Sequence, residues 1–131
     1  MRPRGRRRAV LARQRRGGGC VRDWTQGVAQ LVYQQCARCG HRWYLPRPAC
    51  PRCAATAVER RRSTGIGTVV AVTTVHRAPA GGHHPPTPFG ICLVELAEAV
   101  RVMGRCPTDL APGDRVGVDF RDGVPRFAKR A

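Results

Sequence analysis

The sequence predicts a mostly β protein in which a short N-terminal helix and a four-cysteine metal module precede a small β-barrel. Four of its seven cysteines form two Cys-x-x-Cys pairs between Cys36 and Cys53, with ten residues between the pairs. After these pairs come four or five short β-branched segments separated by Gly and Pro, within about 65 residues, a pattern typical of a closed or partly open barrel. The sequence shows neither strand–helix alternation nor an internal repeat.

The chain of 131 residues carries a formal net charge of +16, which is spread unevenly. Residues 1–22 hold nine arginines and no acid, whereas the remainder holds fifteen Lys/Arg against eight Asp/Glu. The segment 1–19 has too little apolar surface to offset the entropy of ordering it, so we expect a disordered arginine-rich arm. Such an arm suits either nucleic-acid contact or a solvated tail, and we favour the tail.

No secretory signal or membrane span is visible in the sequence. The apolar run Ala9–Ala12 is too short for a signal core, and no longer run approaches a membrane span. We therefore expect a cytoplasmic protein. In the cytoplasm, seven cysteines favour metal binding or free thiols over disulfides.

Residues 20–32 predict a short amphipathic helix that leads into the cysteine module. Asp23 is the expected N-cap of this helix, and Gly27 interrupts it. The apolar residues recur at the helical spacings of four, three and one: Trp24, Val28, Leu31 and Val32.

Residues 33–58 are predicted to form a metal module. Two residues between the sulfurs of each pair let both thiolates point at one ion, and the second pair completes a tetrahedron. Zinc and iron both accept four sulfur ligands, and a zinc with four protein ligands is structural because no position is left for water or substrate. The predicted ligands of one metal per chain are Cys36, Cys39, Cys50 and Cys53.

Other residues of the module have structural interpretations. Its arginines are expected to offset the charge of a four-thiolate metal site: Arg38, Arg42, Arg47 and Arg52. Its apolar residues are expected to supply a small core, although the aromatic ones could also stack on bases: Tyr33, Trp43, Tyr44 and Leu45.

The segment that follows the module reads as a charged hinge and then short strands. Strands are predicted over 67–77, twice within 91–106 around Ala97–Glu98, and twice within 115–127 around Asp122-Gly123, which is a strong hairpin signal. A Pro/Gly loop over 77–90 and a turn over 108–114 separate them.

No catalytic constellation emerges from the remaining residues. The eight acids are dispersed, and His83-His84 lie in the Pro-rich loop, where we expect them to be solvated. Cys20, Cys92 and Cys106 have no local base, and a buried, inert thiol is the expected state of Cys92. This absence favours a binding or scaffold protein over an enzyme.

The motifs together resemble the DUF35 family of proteins with a rubredoxin-like zinc ribbon and an OB fold. The resemblance covers roughly residues 21–130 and departs from the family pattern at Ala54 and Ala99, where glycine is usual. Both departures are expected to strain a turn locally. The matching segments are Tyr33 with QQCARCGHRWYLPRPACPRC, GIGTVV (65–70), Val75-His76-Arg77, LVELAEAVRVMG (93–104), Pro112-Gly113-Asp114 and VPRF (124–127).

The resemblance implies a helix, a zinc ribbon and an OB barrel, the last over residues 59–131. Members of this family are typically non-catalytic partners of thiolase-like enzymes, hydratases or aldolases that act on acyl-CoA thioesters. In such members the barrel docks on the enzyme and can help to shape the channel for CoA. By position, the candidates for contact with CoA phosphates or the interface are Arg60, Arg61, Arg62, His76 and Arg77.

A single-stranded nucleic-acid-binding protein is the alternative, because zinc ribbons and OB folds both occur in such proteins and the charge suits them. Sequence-tolerant binding of a single strand needs aromatic side chains on which bases stack. The 91–105 hairpin has no aromatic residue, which favours the accessory-subunit hypothesis. An iron electron carrier is disfavoured by the barrel that follows the module.

Overall fold

Two β-sheets follow one another along the chain in the computed structural model, which describes residues 21–130. The strands are β1 (Val32–Cys36), β2 (Arg42–Trp43), β3 (Val58–Arg62), β4 (Ile66–Val75), β5 (Phe89–Leu96), β6 (Arg101–Cys106), β7 (Arg115–Arg121) and β8 (Val124–Lys129). The first three form a sheet in the order β2-β1-β3, and the others form a closed barrel in the order β4-β5-β6-β8-β7. The mostly β fold class is confirmed, and the arm predicted over 1–19 lies outside the described residues.

The predicted N-terminal helix is reduced to one 3₁₀ turn, Trp24–Gln26. Asp23 caps this turn as expected, since its carboxylate accepts from the backbone N–H of Thr25 at 3.0 Å. Gly27 ends the turn because it adopts a left-handed conformation with φ of 86°, which glycine reaches without a steric penalty. Of the apolar residues whose spacing predicted the helix, Trp24 lies in this turn and Val32 is the first residue of β1. No helix within residues 21–130 is long and apolar enough to cross a membrane.

Strand β1 is the central strand of the first sheet. It pairs antiparallel with β2 on one side and with β3 along its whole length on the other. Its Gln34 is buried, and the side-chain oxygen accepts hydrogen bonds from Trp43 Nε1 and from the backbone N–H of Arg47, both at 2.6 Å. A buried amide oxygen satisfied in this way fixes the loop after β2 against β1.

Strand β4 closes the barrel because it pairs with both β5 and β7. Residues 66–68 pair with β7, and residues 67–75 pair with β5. The register shifts between Val69 and Ala71, and such a bulge bends a strand at a barrel corner. Since β8 is parallel to β6 and antiparallel to β7, the connectivity is that of an OB fold.

The barrel core is packed around Phe127, which is completely buried. Its ring leaves no room for a side chain at Gly104, where a Cβ atom would lie 2.6 Å from Phe127 Cε2. All five barrel strands contribute buried residues to this core, among them Val69, Val94, Val102, Val116 and Phe127.

The three-stranded sheet shares the core of the barrel. Leu31 and Tyr33 belong to the same buried cluster as the barrel residues, and Trp24 and Tyr44 pack against it. Trp24 Nε1 donates a 2.8 Å hydrogen bond to the hydroxyl of Tyr44, so the polar ends of both rings are satisfied.

Glu98, in the turn between β5 and β6, connects the two sheets. Its carboxylate accepts from Ser63 Oγ at 2.6 Å and from the backbone N–H of Thr64 at 3.1 Å, in the segment between β3 and β4. Its carbonyl oxygen accepts from Arg42 of β2 at 3.1 Å. Burial on its own would raise the pKa of this carboxyl, but the donors of Ser63 and Thr64 outweigh it and lower the pKa.

We expect Glu98→Gln to destabilise the protein by about 0.5–1 kcal/mol at pH 7, after allowance for solvent exposure. A carboxyl whose pKa is lowered by folding contributes stability above its unfolded pKa and loses it as the pH falls through the folded value. Urea unfolding of both proteins should therefore show a gap at pH 7 that narrows towards pH 3. Glu95→Gln in the same hairpin is the control, because Glu95 has only an exposed ion pair with Arg101.

Candidate metal centre and interaction surface

The structure brings the four predicted ligands together. The Sγ atoms of Cys36, Cys39, Cys50 and Cys53 all lie within 4.8 Å of one another. The Cys36–Cys53 and Cys39–Cys50 sulfur pairs are each 3.6 Å apart. Sulfurs at the corners of a tetrahedron lie about 3.8 Å apart when each is about 2.3 Å from a metal. The cluster therefore fits one tetrahedral ion, with every corner filled by a protein sulfur.

Backbone amides point at the sulfurs from within each Cys-x-x-Cys turn. The N–H groups of Cys39 and Arg38 donate to Cys36 Sγ at 3.4 Å, and Arg52 N–H donates to Cys50 Sγ at the same distance. Donation from Cys39 N–H is the main cause that lowers the pKa of Cys36 to about 6. Because thiolates are the metal-binding form, these amides favour the metal-binding form of Cys36. Despite donation from the backbone of Ala55, burial and the neighbouring sulfurs raise the pKa of Cys53 to about 11.

The two turns end alike, although their sequences differ. Gly40 has φ of 78° and donates its N–H to the carbonyl of Cys36, and Ala54 has φ of 65° and donates to the carbonyl of Cys50. Ala99, in the turn between β5 and β6, also has φ of 65°. Both positions where the resemblance led us to expect glycine therefore require a left-handed backbone, which is strained for alanine.

The residues around the metal module have mainly structural contacts. Arg42 donates to Gln35 and to the carbonyl of Glu98, and its guanidinium lies 5.8 Å from the ring centroid of Tyr33. Tyr33 is buried as expected. The prediction that Leu45 belongs to the core of the module is wrong, because its side chain is 70% exposed. Leu45 lies in the loop after β2, outside the three-stranded sheet.

An apolar groove of about 530 Å³ runs between the metal module and the barrel. Leu93 and Met103 are opposite each other on β5 and β6, and Met103 is 66% exposed. We call this surface the junction groove; it is lined by Trp24, Tyr44, Leu45, Ile91, Leu93, Arg101, Met103, Gly104, Arg105, Val124 and Pro125. No acid lines it, and two arginines stand at its barrel side.

Sequence reasoning missed this groove. A usable signal was present, since Leu93 and Met103 occupy positions of β5 and β6 that alternate with the buried Val94 and Val102. Apolar residues at both the inward and the outward positions of a strand indicate a surface that is covered on both sides.

The structure does not gather the predicted CoA-contacting residues at one place. Arg60 lies 3.9 Å from Asp23, and Arg61 pairs with Glu59 at 2.8 Å. Arg62 is exposed where β3 ends, and His76 and Arg77 are exposed after the far end of β4. The ten-residue strand β4 separates Arg62 from His76 and Arg77 along the chain.

The remaining nucleophiles and histidines have ordinary roles. Burial raises the pKa of Cys92 to about 12, and Cys106 is also buried, while Cys20 lies outside the described residues. His84 is not simply solvated as expected: its ring nitrogens lie 2.8 Å and 3.0 Å from the carbonyl oxygens of Pro85 and Pro79, and its ring stacks on Phe89. This histidine holds the Pro-rich loop together.

Two family models match the chain in succession. Residues 26–59 match the rubredoxin-like zinc ribbon domain of ChsH2, and residues 60–121 match the C-terminal OB-fold domain of ChsH2. A DUF35 domain-containing scaffold protein of Methanocaldococcus jannaschii is 31% identical over 108 residues, which cover 77% of this chain and 76% of that protein.

Two solved structures resemble the chain in three dimensions. One, described as an Ltp2-ChsH2(DUF35) aldolase, superposes with a TM-score of 0.67 and 26% identity over 81% of this chain and 87% of the other. The second is a DUF35 protein of unknown function from Sulfolobus solfataricus, with a TM-score of 0.58 and 14% identity over 82% and 79% of the two chains. This second likeness concerns the fold alone.

We expect the double variant Cys36→Ser, Cys39→Ser to lose one metal ion per chain and the order of the metal module, since structural metal binding and folding are coupled. Elemental analysis of the purified protein measures the metal, and amide hydrogen exchange of β1–β3 measures the order. Cys106→Ser is the control, because it removes a buried thiol outside the cluster and should leave the metal in place. A metal-free wild type with a protected β1 would contradict this assignment.

We expect Ala54→Gly to stabilise the metal-loaded protein by about 1 kcal/mol, because it relieves a left-handed alanine. Thermal unfolding at fixed metal concentration measures the change. Ala71→Gly is the matched control: Ala71 is exposed within β4 and does not have a positive φ, so the same substitution should cost about 0.5–1 kcal/mol. Equal effects of both substitutions would rule out backbone strain at Ala54.

Proposed function

The chain belongs to the DUF35 family of zinc-ribbon and OB-fold proteins, and from that premise we propose that it is a non-catalytic accessory subunit of an enzyme that acts on acyl-CoA thioesters. The partner would be a thiolase-like enzyme, a hydratase or an aldolase, and the complex would be cytoplasmic. The observation that carries the proposal is the similarity, in sequence and in fold, to the chain of the Ltp2-ChsH2(DUF35) aldolase. The scaffold name of the archaeal relative supports the same role.

The chemistry of the described residues supports a role without catalysis. Within residues 21–130, the four cysteines are the one group of three or more His, Cys, Asp or Glu side chains that could hold a metal. A tetrahedron of four thiolates has no open position at which a substrate or water could be activated. The buried thiols and the bonded His84 likewise offer no activated nucleophile or base.

We propose that the metal is zinc, one ion per chain, and that its role is structural. The match to a rubredoxin-like zinc ribbon supports zinc, although an iron ion also fits four sulfurs at these distances. When bound, the metal would hold both Cys-x-x-Cys turns and through them β1 and the loop that carries Leu45.

We propose the junction groove as the surface that binds the partner enzyme. Leu45 and Met103 are the most exposed large apolar side chains among the described residues, and exposed apolar patches with polar rims mark interaction sites. Because arginines line the barrel side of the groove and no acid does, the complementary partner surface would present apolar side chains beside carboxylates.

A CoA thioester at the shared interface is a further part of the proposal. The sequence-based candidates for this contact stay predictions: Arg60, Arg61, Arg62, His76 and Arg77. Of these, Arg62, His76 and Arg77 have no ion pair within residues 21–130, and Arg60 and Arg61 already pair with acids.

The outer face of the barrel does not favour single-stranded nucleic acid as the ligand. Stacking platforms for bases are aromatic, and the apolar residues that β5 and β6 contribute to the groove are Ile91, Leu93 and Met103. The two aromatic residues of the groove, Trp24 and Tyr44, pack against the core and are hydrogen-bonded to each other. The net charge of +16 supports some nucleic-acid affinity, but charge alone is not selective.

We expect a tagged full-length chain to co-purify, from its own host, with an acyl-CoA enzyme identified by mass spectrometry. The double variant Leu45→Ser, Met103→Ser should weaken that complex at least tenfold, because buried apolar anchors carry most of the energy of an interface. Val28→Ser is the matched control, since Val28 is also exposed but does not line the groove. Recovery of RNA in place of an enzyme would contradict the proposed accessory role. A complex that the double variant does not weaken would show that the partner binds outside the junction groove.

A further inference from the structure

Strands β6 and β8 place two arginines directly opposite each other. Their parallel pairing has Arg105 and Arg126 as Cα partners. Both side chains point away from the core, because each alternates with buried neighbours, Cys106 and Phe127. Like charges directly opposite each other on neighbouring strands repel, whereas on its other side Arg126 has Asp119 of β7 as its Cα partner.

Neither arginine is neutralised by an ion pair within the described residues. Five ion pairs connect residues 21–130, and neither arginine takes part in any of them. Both residues are half-buried, so solvent screens them less than it screens fully exposed charges. Arg105 donates to the carbonyl oxygen of His83 at 2.6 Å, which positions its guanidinium without neutralising it.

A cleft of about 480 Å³ opens beside this pair. A third arginine, Arg121, lines it and has only an exposed 3.9 Å pair with Asp119. The cleft contains one acid, Asp122, against three arginines, and its walls are mostly apolar. The other lining residues are Pro85, Pro86, Pro88, Phe89, Gly90, Cys106, Pro107, Thr108 and Val124.

We propose that this arginine cleft binds the phosphate group of a phosphorylated small molecule. Guanidinium groups bind phosphate oxygens in pairs of parallel hydrogen bonds, and three of them around one cleft match a group with several charged oxygens better than a single carboxylate. A cleft of this volume suits a small ligand, and the prolines and Phe89 provide apolar contact for the remainder of the molecule.

The cleft adjoins the junction groove, with which it shares Arg105 and Val124, but most of its lining residues belong to the cleft alone. None of the residues predicted to contact CoA phosphates lines the cleft, and of the three arginines only Arg105 also lines the junction groove. The inference therefore stands or falls without the accessory role. Arg126 is the residue to vary, because it belongs to the cleft alone.

The test uses the full-length chain and inorganic pyrophosphate, with residue-resolved NMR because the arginines of residues 1–22 also attract this anion. The amides of Gly90, Thr108 and Arg121, which line the cleft and not the junction groove, should shift in a saturable way below about 10 mM pyrophosphate. Arg126→Gln should weaken this binding at least about tenfold, and Arg126→Lys should weaken it less, because lysine keeps the charge but not the paired donors. Arg115→Gln, which removes an exposed arginine of β7 outside the cleft, should leave it unchanged.

A measurement of thermal stability distinguishes an arginine that binds an anion from an arginine that only supports the fold. Without pyrophosphate, Arg126→Gln should leave Tm within about 2 °C of the wild type, because it removes both the repulsion from Arg105 and the attraction of Asp119. With pyrophosphate, Tm of the wild type should rise and Tm of this variant should not. A larger fall in Tm of the free variant, with no response of the wild type to pyrophosphate, would show that Arg126 has only a structural role.

Three results would overturn the proposal. The first is the absence of saturable shifts in the cleft, and the second is equal weakening by Arg126→Gln and Arg115→Gln. The third is a preference for another ligand class: malonate binding as tightly at equal ionic strength would make this a carboxylate site, and a short oligothymidine saturating the same amides at lower concentration would make it a nucleic-acid surface.

Discussion

The fold depends on strand β1, which connects the metal module to the core of the barrel. β1 ends at Cys36, a sulfur ligand of the metal cluster, while Leu31 and Tyr33 just before it are buried in the core of the barrel. A module of this size has too little apolar surface to fold by itself and needs a metal as a cross-link. The order that the metal gives to β1 therefore extends into the barrel core, and the shared core limits how far the two sheets can move apart.

The same coupling explains how a chemically inert centre can matter for function. The loop that presents Leu45 is fixed by the hydrogen bond of Arg47 N–H to Gln34 in β1. One wall of the junction groove is therefore positioned by the metal module, and the opposite wall, which includes Leu93 and Met103, is positioned by the barrel. Neither sheet forms this groove alone, so a metal bound by the four cysteines would contribute by positioning this surface.

Local chemistry made much of this structure predictable, and the rest depends on contacts between distant segments. The Cys-x-x-Cys spacing, the Asp122-Gly123 turn and the alternation in β5 are local signals, and the resemblance pointed to the two strained alanines. The helix over 20–32 was overestimated because one left-handed glycine ended it. Leu45 was misassigned because a short apolar run does not reveal which side chains the sheet covers. The groove and the opposition of Arg105 to Arg126 arise only when the barrel closes.

Barrel closure also brings the two surfaces together at Arg105 and Val124. Arg105 lines both the junction groove and the arginine cleft, and Gly104 beside it permits the close packing of Phe127 that fixes this part of β6. An anion in the cleft would neutralise positive charge at the rim of the groove. The carboxylates of a partner enzyme would neutralise the same charge. Two anions that share one arginine compete for it and also repel each other, so the ligand and the partner should weaken each other's binding. This negative coupling would originate in the register of β6 against β8, which places Arg105 opposite Arg126.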